Sequence, residues 1–312
     1  MNRIVQRTGY GLEAEGFLKD TEGNLAIRVE GQPTAEFVVN AVREKYASEG
    51  ESLLRAMHDK LALEEASVNL EGCSGVHSSI EGAAREILTI RDAVNETMAP
   101  YGVHWDFDPV AQQHFEFIAA TSDSSSRTHY LIQAWAERIY HTAIAGLQLN
   151  DSTLFAACQS DDERWERARH IMNSHTPDVI AQMSVADGEM RSFKGMTRLE
   201  HLRTLIPHVK WEPFSRRGYT ETSHVLYPPK FTSRAEMEKW MKAHADKDDL
   251  SRITAKDIHS GTVKIKQVGP WIAENRVLGA HPKCHTVDGM MAHLRPVIEH
   301  HNQLRSDFGL SY

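Results

Sequence analysis

Two glutamates stand two residues apart in the segment GYGLEAEGFLKD, which begins at Gly9 and otherwise alternates small and apolar residues. Side chains of a β-strand alternate between two faces, so Glu13 and Glu15 point to the same side. Like charges at this spacing repel and are costly to bury, so the pair is stable on a wet face or beside a cation that neutralises both. The pair therefore indicates either the solvated face of an edge strand or a cation site.

Three later segments place more polar groups on single faces of predicted strands. ASVNLEGCS contributes Glu71, IAGLQLND contributes Gln148 and Asn150, and PWIAENRVLG contributes Glu274 and Arg276. A solvated strand face more usually mixes lysine, threonine and serine with its acids, whereas glutamate is over-represented here. Hard divalent cations such as Mg²⁺ take carboxylate ligands from several elements and typically bridge to phosphates. The pattern thus favours metal and phosphate chemistry on a sheet.

The elements that would carry these groups are strands interleaved with amphipathic helices. The turn KDTEGN is predicted to lead into a hairpin partner for the first strand, residues 25–31. Helices are predicted after the serine cap of SSIEGAAREILTIRDAVNETMAPYG, over residues 161–183 and over residues 286–304. Because no repeat or linker separates these elements, residues 1–312 are expected to form one α+β domain built on an antiparallel sheet.

Composition narrows the class of function. The 312 residues include 41% hydrophobic and 25% charged residues and carry a formal charge of −8, which argues against a general electrostatic grip on nucleic acid or an anionic membrane. No segment resembles a signal peptide or approaches the run of about 18 apolar residues that a membrane span needs. The three cysteines lack the paired spacing of zinc or redox sites. A cytoplasmic protein is expected.

The order of these motifs resembles that of the glutamate-cysteine ligase family, from Gly9 to about Gly279. GLEAEGFL resembles the opening strand of that family, VNLEGCSGV its second acidic strand, and IAGLQLND its glycine-apolar-His-x-Asn strand. HTPDVIAQMSVADG is similar to a family helix, SRRGY to an arginine-bearing substrate loop, and SGTVKIKQVGPWIAENR to a late strand pair that ends in Glu-x-Arg. Each motif is short, and their collinear order carries the resemblance.

The resemblance implies a carboxylate-amine ligase with a glutamine-synthetase-like fold, in which a curved antiparallel sheet forms a funnel with helices packed on its outer face. Such a ligase uses ATP to activate a carboxylate as an acyl phosphate, which an amine attacks to give an amide of the γ-glutamyl type. Two or three Mg²⁺ ions, with Mn²⁺ as an alternative, would be held by Glu13, Glu15, Glu71 and Glu274. Glu274 and Arg276 would be catalytic, the arginine stabilising the transferred phosphoryl group.

The resemblance also assigns the remaining site residues. Gln148, Asn150 and Lys264 would bind the cofactor, and Arg216 or Arg217 would hold a substrate carboxylate or the γ-phosphate. Gln148 stands where the family usually has histidine, so a neutral amide replaces a metal ligand or phosphate donor. Lysine replaces an arginine-bearing segment at Lys264, which supplies a point charge instead of a planar fork.

Two other functions fit the same residues. A phosphotransferase on this scaffold would pass the phosphoryl group to a guanidine or an amine, and a degenerate member would only bind or regulate, for which Gln148 and the short chain are hints. The expected partners are small amino-acid or peptide substrates, with no nucleic acid and no membrane; homodimer formation is left open. The identity of the two joined substrates is not encoded in any motif.

Overall fold

The paired glutamates lie on β1 (Tyr10–Asp20), a strand in the middle of an antiparallel sheet. The structure is a computed structural model that describes residues 8–49, 60–64, 66–107, 110–111, 118–126, 143–144, 146–174, 231–236, 239, 257–260, 263–266, 271–278 and 282–310. Within these residues the sheet has eight strands, and every pair of neighbours is antiparallel. The predicted α+β class with an antiparallel sheet is therefore confirmed; its curvature into a funnel stays a prediction.

Twelve strands are numbered in chain order. After β1 they are β2 (Arg28–Val29), β3 (Gln32–Pro33), β4 (Leu61–Leu63), β5 (Asn69–Cys73), β6 (Val103–Asp106), β7 (Val110–Ala111), β8 (Ala143–Ile144), β9 (Gly146–Asp151), β10 (Asp257–Ser260), β11 (Val263–Lys266) and β12 (Ile272–Leu278). The main sheet has the order β10-β11-β12-β9-β1-β5-β4, and β6 also pairs with β1. Strands far apart in sequence thus become neighbours of β1.

Four helices are described: α1 (Thr34–Glu49), α2 (Ile80–Met98), α3 (Asp161–Ser174) and α4 (Val287–Asp307). The N-caps explain where two of them begin, because Ser79 Oγ accepts from the Gly82 amide at 3.1 Å and Thr286 Oγ1 accepts from the Gly289 amide at 3.0 Å. The sequence prediction for α2 and α4 is confirmed to within a few residues. The part of the predicted helix beyond residue 174 lies outside the described residues.

One face of the sheet is covered by helices and forms the main core. Leu12, Ala14 and Leu18 of β1 are essentially fully buried there against α1, α2 and α4. Trp105 packs against β5, where a Cβ atom at Gly72 would lie 2.6 Å from its Cη2 atom. Glycine at this position lets the indole approach the backbone closely, which explains a glycine inside a strand. The acidic residues occupy the opposite face.

The predicted hairpin partner of β1 is wrong for most of its length. Beyond an isolated bridge between Lys19 and Leu25, the segment turns away, and β2 pairs with β3 instead. Glu30 and Gly31 both have positive φ, 49° and 80°, which is the backbone of a tight two-residue hairpin turn. The rest of that edge of β1 pairs with β5, while β9 and β6 pair along the other edge.

No helix among the described residues has both the length and the apolar character needed to cross a membrane.

Candidate functional site

The strand register brings the acid-bearing segments side by side on the face of the sheet opposite the main helical core. The cross-strand pairs are Glu15 with Glu71, Glu13 with Gln148, Glu274 with Asn150, and Arg276 with Gln148. Residues directly opposite each other in a ladder share a face, with Cβ atoms about 4.5–5.5 Å apart. The polar groups predicted from β1, β5, β9 and β12 therefore do meet on one surface.

Three carboxylates on this surface form a compact cluster. One oxygen each from Glu15, Glu64 and Glu71 lies within 4.8 Å of the other two; Glu15 is buried, and the other two are half-buried. Mg²⁺ binds oxygen at about 2.0–2.1 Å and Ca²⁺ at about 2.3–2.6 Å, so oxygens on opposite sides of one ion lie about 4–5 Å apart. The cluster fits a single divalent cation. It is the one group of this kind among the described residues.

Glu64 is a member of this cluster that the motifs did not reveal. It follows β4 directly, and β4 pairs with β5 so that Ala62 lies opposite Glu71. Glu64 is two residues beyond Ala62, which puts it on the same face. The alternation in LALEE carried this signal, but the strand has only three residues, too few for a periodic pattern to stand out.

Each of three acids on this face accepts a hydrogen bond from a neutral neighbour. The bonds run from Gln148 Nε2 to Glu15 Oε1 (3.2 Å), from Asn150 Nδ2 to Glu13 Oε1 (2.9 Å) and from Cys73 Sγ to Glu71 Oε1 (3.0 Å). Donors of this kind orient metal-binding carboxylates without neutralising their charge. Cys73 thus contacts the acidic cluster.

The two amide donors also present buried oxygens to this face. Gln148 Oε1 and Asn150 Oδ1 are inaccessible to solvent and have no hydrogen-bond partner within the described part of the chain. An unpaired buried acceptor is unfavourable by about 1–3 kcal/mol, so native proteins rarely leave one without a ligand, water or ion. Carbonyl oxygen is a ligand that hard cations accept. The amides therefore fit a cation site as well as the carboxylates do.

The predicted cationic residues are only partly placed. In the ladder, Lys264 of β11 lies opposite Glu274, one strand further from β1 than Arg276, which lies opposite Gln148. By backbone register both positions are aligned with acid- or amide-bearing positions of the neighbouring strand, and their phosphate-binding roles stay predictions. Arg216 and Arg217 lie outside the described residues.

The loop between β5 and α2 is fastened by one carboxylate. Glu86 accepts from His77 Nε2 at 2.5 Å and from the Gly75 amide at 2.7 Å, and it pairs with Lys60 Nζ at 3.0 Å. Partial burial alone would raise the pKa of Glu86, but the hydrogen bonds from His77 and Gly75 and the Lys60 charge outweigh it and lower that pKa. His77 therefore has a structural partner in Glu86.

Comparison with known proteins gives a fold likeness. No family model matches the chain, and no curated protein matches it. A bifunctional glutathione synthetase from Pasteurella multocida matches over 93% of this chain and 39% of that chain, with a TM-score of 0.51 and 13% identity. A glutamate-cysteine ligase from Francisella tularensis, solved with AMP, matches over 58% and 34%, with a TM-score of 0.39 and 13% identity.

The match to the Pasteurella protein concerns the fold. At this identity it shows a shared fold and nothing finer, and the chain spans well under half the length of either protein it matches. The fold of this chain is thus one that it has in common with part of a bifunctional glutathione synthetase.

Proposed function

We propose that the protein is an ATP- and Mg²⁺-dependent carboxylate-amine ligase that forms an amide bond of the γ-glutamyl type through an acyl phosphate. The observation that carries the proposal is the cluster of Glu15, Glu64 and Glu71, which lies on the acidic face of the sheet and fits a divalent cation. The fold shared with a bifunctional glutathione synthetase supports it, because that protein is named for a ligase-type synthesis.

The acids divide into two groups on this face. Glu15, Glu64 and Glu71 would hold one cation, while Glu13 and Glu274, from strands on either side of β9, would hold a second near the amide oxygens of β9. Bound Mg²⁺ supplies charge neutralisation and orientation for the phosphates of ATP. The contribution of the chain is to fix carboxylate positions by the neutral donors described above, which lowers the reorganisation needed when the ion binds.

The cationic residues would act on the phosphates and on the substrate. Arg276 would stabilise the negative charge that develops on the transferred phosphoryl group, since a guanidinium offers several donors in a fixed plane. Lys264, opposite Glu274, would contact ATP as a point charge. Arg216 or Arg217 would hold the substrate carboxylate. The substrates are proposed to be amino acids or small peptides, and the reaction to take place in the cytoplasm, which supplies ATP and Mg²⁺.

Calorimetric titration of ATP into the protein, with and without Mg²⁺, tests the nucleotide site. We expect binding that requires the metal and is lost in Glu13→Gln, because this change removes a carboxylate from the acidic face. Glu22→Gln is the matched control: it removes the same charge from the exposed turn after β1 and should bind as the wild type does. No binding by the wild-type protein would refute the nucleotide site and favour the non-catalytic alternative.

A hydroxylamine trap separates the ligase from a phosphotransferase. An acyl phosphate reacts with hydroxylamine to give a hydroxamate, whereas a phosphorylated guanidine or amine does not. With ATP, Mg²⁺ and a panel of amino acids, we expect hydroxamate to form together with ADP. ADP release that depends on the acceptor and occurs without hydroxamate would instead support the phosphotransferase.

A further inference from the structure

Behind the acidic face, a buried ionic network joins α4 to the ends of three strands. Asp151 and His301 are both fully buried, and Arg305 is 5% exposed. The Nδ1 atom of His301 lies 2.8 Å from Asp151 Oδ2, and the guanidinium of Arg305 pairs with the same oxygen. Thr153 donates to the other oxygen of Asp151 through its amide (2.8 Å) and its hydroxyl (2.6 Å). The carboxylate thus has partners on both oxygens.

His301 bridges two neighbouring strands of the sheet. While Nδ1 faces Asp151 at the end of β9, Nε2 lies 2.7 Å from the Nδ2 atom of Asn275, a fully buried residue of β12. A carboxylate only accepts and an amide NH₂ only donates, so Nδ1 carries the proton and Nε2 accepts. The imidazole therefore joins Asp151 to Asn275 through its two ring nitrogens.

The bridge stands directly behind site residues. Asp151 follows Asn150 in β9, and Asn275 follows Glu274 in β12, so the side chains of each pair point to opposite faces. The ladder between these strands ends at the pair of Ala273 with Asp151, one pair beyond Glu274 with Asn150. The ends of strands open most easily. The ladder has no further backbone pair beyond Ala273 and Asp151 that would keep this end closed.

Arg305 extends the attachment to the first strand. Its guanidinium lies 5.2 Å from the ring centre of Tyr10, the first residue of β1. Burial by itself would raise the pKa of Asp151, but the hydrogen bond from His301 and the positive charge of Arg305 hold that pKa below its usual value. One turn of α4 thus fastens the ends of β1, β9 and β12.

We propose that His301 is a positioning residue for the acidic face: by bridging Asp151 and Asn275 it fixes β9 against β12 and so sets where Asn150 and Glu274 stand relative to a bound cation. The inference rests on the proposed function for its effect on cation binding. Removing an outer partner of a metal site typically weakens metal affinity by about 10–100-fold. Because His301 acts through the backbone of two strands, we expect a loss of metal affinity at the lower end of this range, about tenfold.

Binding of Mn²⁺, followed through the electron paramagnetic resonance signal of the free ion, tests this in the full chain. His301→Asn keeps a donor near Asp151 and His301→Gln keeps a group near Asn275, so each variant retains one half of the bridge. Val297→Ala, a fully buried change one turn earlier on α4 among apolar neighbours, is the control for general loss of stability. Hydrogen exchange of the β9 and β12 amides is measured on the same variants.

We expect both His301 variants to raise the Kd for Mn²⁺ by about tenfold and to speed exchange selectively at the ends of β9 and β12, whereas Val297→Ala keeps the wild-type Kd and does not single out these ends. Wild-type affinity in both His301 variants would overturn the positioning role, and so would equal weakening in all three variants. If the wild-type protein binds no Mn²⁺, the proposed function fails instead. In that case the hydrogen exchange of the β9 and β12 amides alone tests the positioning role. Exchange at the same rate in every variant would overturn it.

Discussion

Replacing Glu64 by glutamine should make the protein bind a divalent cation less tightly and yet unfold less easily. The reason is that Glu15, Glu64 and Glu71 each place an oxygen within 4.8 Å of the other two. At 4.8 Å and an effective dielectric constant of about 20, two unit charges repel by about 3.5 kcal/mol. Glu64→Gln removes two of the three repulsions and keeps the shape of the side chain.

The two effects have different sizes. Glu64 has other contacts that the substitution weakens, so most of the relieved repulsion is offset. A net gain of about 1 kcal/mol would raise Tm by about 2–4 °C. In the variant, a cation among the three oxygens loses its attraction to the Glu64 carboxylate, which is at least as large as the repulsion between two carboxylates. Because each 1.4 kcal/mol is a factor of ten in affinity, the affinity for the cation falls by more than about 100-fold.

The assay combines calorimetric melting in the presence of a chelator with a Mn²⁺ titration. Glu96→Gln is the control, because it removes the same charge from α2, where the side chain is 74% exposed and pairs with Lys45. We expect the control to keep wild-type affinity for Mn²⁺. The reasoning would be refuted if Glu64→Gln bound Mn²⁺ as the wild type does, or if it lowered Tm in the chelator while Glu96→Gln did not.

Two further predictions concern the loop anchor and the cysteines. The pKa of Glu86 is lowered in the folded protein, so the stability it contributes is present above about pH 4.3 and is lost as the pH falls through the lower folded-state value. In melts from about pH 7 to pH 3, the stability gap between wild type and Glu86→Gln should shrink with acidification; a constant gap would contradict this linkage. Burial raises the pKa of the Cys158 thiol and shields it, whereas Cys73 is half-buried, so iodoacetamide should label Cys73 first in the native protein. Peptide mapping by mass spectrometry checks this order, and equal labelling would show that the buried thiol is accessible.

Much of the site was predictable because strand alternation depends only on neighbouring residues. Glu13 and Glu15 had to share a face once their segment was a strand, and the same period placed Glu71 and Glu274 on faces of their own strands. The helix starts at Ser79 and Thr286 were predictable for a similar reason, since a cap bonds to an amide only three residues away.

The tertiary structure decided which strands became neighbours. Alternation cannot tell that β9 and β12, which are more than a hundred residues apart, would lie side by side with Glu274 opposite Asn150. It also favoured residues 25–31 as the partner of β1, whereas the positive φ of Glu30 and Gly31 turns that segment away. Pairing depends on the packing of whole faces, which no local pattern contains.

Glu64 and His301 are single residues whose roles depend on tertiary contacts and not on a local sequence pattern. Glu64 stands after a strand of three residues, and His301 lies on a helix whose apolar period leaves a buried histidine indistinguishable from an ordinary core position. The sequence by itself determined which side chains share the face of a strand, because that follows from backbone geometry within a few residues. Only the tertiary structure decided which acids meet and what holds them from behind, because cross-strand register and buried polar partners arise from contacts between residues far apart in the chain.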